Sequence, residues 1–181
     1  MQPARKPSLA ALQLARRMAS AVVLAATLAT LATVAGCGSD DDTSAACPGA
    51  VADIEAVTVA GEAGHPVFTV TVASPDTGCK CYADWWEVVG LDGTLLTRRV
   101  LAHPHKTEQP FTRAGDPVQL SEDLYVIVRA HMHGTTASEG GGYGGRVFKG
   151  SVRDGFKASS VDTDFAADLA SKPPMPSGCA N

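Results

Sequence analysis

The stretch Leu124-Tyr125-Val126-Ile127-Val128-Arg129-Ala130-His131-Met132-His133 decides the fold class. Successive side chains of a strand point to opposite faces. Leu124, Val126, Val128, Ala130 and Met132 therefore form an apolar face, and Tyr125, Ile127, Arg129, His131 and His133 a mixed one. β-branched residues fill its first half, which suits a pleated, half-buried strand.

Working outward, the same alternation recurs. Residues 54–59 set Ile54, Ala56 and Thr58 against Glu55, Val57 and Val59; residues 66–73 set Phe68, Val70 and Val72 against Val67, Thr69 and Thr71. Ser74-Pro75-Asp76-Thr77-Gly78 is dense in turn formers and leads into an aromatic-rich strand over 81–89. Leu91-Asp92-Gly93-Thr94 is a hairpin turn into a strand over 95–102, and Pro110, Gly115 and Pro117 break the chain into a loop before a brief edge segment at 118–120. Short strands at this spacing predict an all-β fold, an antiparallel sandwich of immunoglobulin-like or Greek-key type.

Trp85 and Trp86 are expected on opposite faces, one in the core and one on the outer face beside Tyr82, packed near a disulfide or free to stack on a sugar ring. Glu139 to Gly145, with five glycines, reads as a flexible hairpin loop, since no P-loop lysine accompanies it. Val161, Phe165 and Leu169 recur every four residues after Ser160, a candidate N-cap, and predict a short C-terminal helix stopped by Pro173-Pro174.

Four of the five histidines stand in two i,i+2 pairs, His103-Pro104-His105 and His131-Met132-His133. In extended backbone each pair aims two imidazoles to one side, so convergence of the pairs would make a copper or zinc site. A closed set of His103, His105, His131 and His133 argues for binding, because a catalytic metal keeps a position open. A metal-dependent enzyme would instead use Glu108 as general base beside a metal-bound water. With the histidines as hydrogen-bonded structural residues, the domain would be a structural, protein-interaction or carbohydrate-interaction module without metal.

The N-terminus carries a different signal. Arg5, Lys6, Arg16 and Arg17 precede an uncharged run over 18–36 that is short for a transmembrane helix and suits the apolar part of a secretory signal. Val34-Ala35-Gly36-Cys37 resembles a bacterial lipobox, which implies cleavage before Cys37, lipidation of that cysteine and a membrane partner through the lipid anchor. Gly38 in place of aspartate then points to the outer membrane in a Gram-negative host, facing the periplasm or the cell surface. Residues 1–36 are thus read as lipoprotein signal peptide, 37–46 as a flexible tether without large apolar residues, and 47–181 as the sandwich domain. Four of the 15 basic residues and none of the 19 acidic ones leave with the signal, so the formal charge moves from −4 to −8, which speaks against nucleic acid as a partner.

Cys47, Cys79, Cys81 and Cys179 remain, an even number in an oxidising compartment, and predict two disulfides. Cys79 and Cys81 would close a strained ring with each other, so each is expected to reach Cys47 or Cys179, in either order.

Tyr82-Ala83-Asp84-Trp85-Trp86-Glu87-Val88-Val89, the Asp92-Gly93-Thr94 turn and His103-Pro104-His105-Lys106-Thr107-Glu108-Gln109-Pro110-Phe111-Thr112-Arg113 together resemble an uncharacterised group of secreted bacterial β proteins. The resemblance covers about half of the mature chain and brings no site residues with it. The frame is not that of a cupin, since Glu108 follows His105 too soon, nor that of copper-zinc superoxide dismutase, whose glycine and aspartate signatures are absent.

Overall fold

Two antiparallel sheets are built from β1 (Asp53–Glu62), β2 (His65–Ala73), β3 (Tyr82–Gly90), β4 (Leu95–Val100), β5 (Phe111–Ala114), β6 (Val126–His133), β7 (Val147–Ser151) and β8 (Gly155–Ser159). The computed structural model describes residues 47–134 and 142–180; the signal segment, Cys37 and the tether lie outside them. Among the described residues no helix is long and apolar enough to cross a membrane.

The strand orders are β1-β2-β5 and β4-β3-β6-β7-β8. The chain crosses from the first sheet to the second after β2, returns for β5 and crosses again for β6, the connectivity of an immunoglobulin-like sandwich whose fourth strand pairs with the third. Ile54, Phe68, Val70, Val72 and Phe111 face Trp86, Val88, Val126, Val128, Ala130 and Met132 across the sandwich, all in one core cluster. Each large apolar side chain buried there is worth about 1.5–3 kcal/mol. Just after β5, Gly115 passes over Trp86, where a Cβ would lie 2.7 Å from the indole.

β3 is buried along its whole length, and Trp85 and Trp86 are both nearly inaccessible, so neither is available for sugar stacking. Over β4, β3 and β6 the outer face of the five-stranded sheet is crossed by the C-terminal segment, held by Arg98 and Arg129. There the expected helix is a single 3₁₀ helix, Ala167–Ser171, which starts after Ala166 in left-handed backbone (φ 46°) rather than at Ser160, and buries Leu169. β7 and β8 had no strong alternation to announce them. Segment 118–120 is not a regular strand, yet Val118 and Leu120 donate N–H bonds to the carbonyls of Pro66 and Gly64 (3.0 Å each), prolonging the line of β5. The end of the glycine-rich loop is fastened, since Gly142 accepts the Met132 N–H (3.1 Å) and Tyr143 is buried; residues 135–141 lie outside those described.

The disulfides are Cys47–Cys81 and Cys79–Cys179, with Cα separations of 5.7 and 5.6 Å. Adjacent points before β3 are thus tied to the two ends of the domain, as the strain argument requires.

Candidate functional site

Pairing of β3 with β6 shifts by one residue between Ala83, opposite Met132, and Trp85, opposite His131. Core residues from just before β3 onward accordingly run Cys81, Ala83, then Trp86, Val88. The extra residue at this bulge is Asp84, and the bulge re-aims its side chain toward the mixed face of β6. One carboxylate oxygen lies 2.7 Å from Nδ1 of His131 and the other 3.5 Å from Nδ1 of His133. Asp84 is buried, whereas the His133 side chain is 50% exposed and that of His131 is 13% exposed. His131 stacks flat on Trp85 (4.0 Å between centroids) and meets Tyr143 edge-on (5.0 Å), while His133 leans on Tyr82 (5.3 Å). The hydrogen bond that His133 donates to the Asp84 carboxylate pushes the His133 pKa up. Burial raises the phenol of Tyr82, with the Asp84 and Asp76 charges adding to it, and drives that of Tyr143 to about 12. Both stay protonated at neutral pH.

Beside this corner lies a buried ionic row. Glu87 stands opposite Arg98 of β4 and Arg129 of β6, and takes the Nε–H of each at 2.8 Å, one on either oxygen. Arg98 also lies over the Trp85 ring (4.3 Å) and Arg129 over that of Tyr143 (3.4 Å). Arg129, on the mixed face of β6, is therefore packed away at 1% exposure.

The other histidine pair is built differently. Asp76 accepts the main-chain N–H of His105 (2.7 Å) and of Ala83 (2.9 Å), fixing the β4–β5 connection against the start of β3. The His105 ring is buried, stacks on Phe111 (3.7 Å) and has no hydrogen-bond partner at either nitrogen. Burial and the Arg113 charge lower its pKa, so it is a neutral packing ring. His103 is exposed, 4.6 Å from His105. Gln109 ties the same segment down by accepting the Ser74 N–H (3.0 Å) and donating to the His105 carbonyl (3.0 Å). Glu108 is exposed and paired with Arg113 at 2.8 Å, which holds its carboxyl below the usual range, the wrong direction for a general base.

His103, His105, His131 and His133 thus stay as two separate pairs. Among the described residues no group of three or more His, Cys, Asp or Glu side chains is placed to hold a metal ion. The residue that organises His131 and His133 is Asp84, which sequence reasoning missed; a carboxylate within an aromatic strand was its one visible sign. Cys37 lies outside the described residues.

No family model matches this chain, and no solved structure matches it. The chain is similar to a protein of Halomicrobium mukohataei named "Putative lipoprotein", 36% identical over 121 residues that make up 66% of this chain and 51% of that protein. The match spans about half the length of that relative.

Proposed function

We propose that this is a lipid-anchored envelope protein, held by Cys37, whose sandwich domain is a module that binds copper(II) or zinc through His131 and His133. The anchor is supported by the lipobox and by the similarity to a protein named as a lipoprotein. The site rests on one observation, the buried carboxylate of Asp84 shared between the Nδ1 atoms of two imidazoles. A carboxylate on Nδ1 fixes the ring and makes the opposite nitrogen, Nε2, a better metal ligand. Two imidazoles leave the remaining coordination positions to water or to a ligand brought by a partner.

Full-length protein expressed in a Gram-negative host should partition into detergent, and Cys37→Ala should remain in the aqueous phase after export; equal solubility of both would remove the anchor. For the site, mature protein is titrated with copper(II) and zinc about one pH unit above and below 6.5, the ordinary histidine pKa. Imidazoles bind metal in their neutral form, and Asp84 raises the His133 pKa, so affinity starts to fall above that value as pH drops. Binding at the higher pH should be lost in His131→Ala and in His133→Ala and kept in His103→Ala. No binding there, or an equal loss in His103→Ala, would overturn the assignment.

A further inference from the structure

The C-terminal segment crosses the outer face of β4, β3 and β6 as a strap of turns and one 3₁₀ helix, held through its main chain. Arg98 donates from Nη1 to the carbonyls of Lys172 (2.5 Å) and Pro174 (3.0 Å), and from Nη2 to that of Leu169 (2.7 Å). Arg129 donates to the carbonyls of Phe165 (2.5 Å) and Ala166 (2.9 Å). Glu87 holds both guanidinium groups from below, Arg98 through Nε and Nη2 (2.6 Å) and Arg129 through Nε, so Arg98 Nη1 and the Arg129 Nη atoms are left to the strap, which Arg98 Nη2 also reaches at Leu169. Guanidinium forks aimed at carbonyl oxygens read a peptide main chain rather than its side chains. The strap itself contributes little packing, since most of its side chains are exposed and Leu169 is the buried one. Its far end is latched by Cys79–Cys179 and by the Ala180 N–H on the Ala102 carbonyl (2.8 Å).

The two disulfides differ in access. Cys47 and Cys81 are buried, whereas Cys79 and Cys179 are half-buried, so a reductant meets the latch first. We propose that the outer face of the five-stranded sheet is a peptide-binding groove, filled by the chain's own C-terminal segment and opened by reduction of Cys79–Cys179. A dithiol supplies two electrons and two protons, Cys79 and Cys179 become thiols, and the dithiol closes to its own disulfide. The groove is independent of the metal reading.

Hydrogen exchange of the mature protein is followed before and after mild dithiol treatment, with peptide mapping to verify that Cys47–Cys81 persists, and in Cys79→Ser/Cys179→Ser. Exchange over residues 160–175 should rise by about tenfold or more while β3 and β6 keep their protection, as local opening requires. A protease site placed at residue 160 then separates the strap from the sandwich after reduction. A synthetic peptide of residues 162–176 should rebind the cut protein saturably, and about tenfold more weakly when Arg98 is replaced by Lys, which lacks the fork. Unchanged exchange over the strap, loss of β3 and β6 protection along with it, or failure of the peptide to rebind would each overturn the proposal.

Discussion

His103 and His105 share their spacing with His131 and His133, and each pair has a buried aspartate beside it, yet the two aspartates do opposite things. Asp76 spends its oxygens on main-chain N–H groups of His105 and Ala83, so it anchors a loop and leaves the His105 ring to pack on Phe111 with both nitrogens unbonded. Asp84 spends its oxygens on the rings of His131 and His133, so it orients imidazoles at a half-exposed edge. What separates a packing histidine from a ligand-facing one is therefore the target of the neighbouring acid. Spacing alone carries no such information.

The largest test of that contrast is Asp76→Ala. It strands two buried main-chain donors at about 1–3 kcal/mol each, so a loss of about 2–6 kcal/mol is expected in denaturant unfolding. A change below about 0.5 kcal/mol, within the range of ordinary surface substitutions, would show that Asp76 anchors nothing.

His105 gives the next effect. If the ring only packs, His105→Ala should cost about 2–4 kcal/mol and His105→Phe less than about 1.5 kcal/mol, because Phe keeps the volume and the stacking on Phe111. The sign of the pH dependence follows from burial. The His105 pKa is lower in the folded than in the unfolded chain, so its contribution is intact above the unfolded value of about 6.5 and declines as pH falls from there through the folded value. His133, raised by Asp84, runs the other way. Its contribution is full below about 6.5 and fades as pH rises through its folded value, and exposure makes it small. His105→Phe should therefore flatten the acid limb of the stability profile; an unaltered limb would assign the acid sensitivity elsewhere.

The fold was largely legible because the alternation of residues 126–133 and 67–72 is that of half-buried strands, and both sets reach the core as read; Leu124, read onto the same apolar face, lies before β6 and is exposed. Alternation assigns a residue to a face but says nothing about what covers that face. Arg129 was placed on the outer side and one of the two tryptophans was expected there; Arg129 and Trp85 take that side and still end up buried, since the cover comes from a distant segment rich in Pro, Ser and Asp. The bulge at Asp84 left no trace either, because one extra residue between Ala83 and Trp85 changes no composition. β7 and β8 are short and are interrupted by Lys149, Gly150 and Lys157, so their pattern falls below what periodicity resolves. The disulfides were legible because the constraint is local: two cysteines two residues apart had to find distant partners.

The measurement closest to the central claim is the copper(II) electron paramagnetic resonance spectrum of the mature protein at neutral pH, which counts coordinated imidazole nitrogens. Two are expected in the wild type and in His103→Ala, and none in His133→Ala, where binding is lost. A four-nitrogen spectrum would restore convergence of both pairs, and the spectrum of aqueous copper would leave Asp84 holding two structural rings.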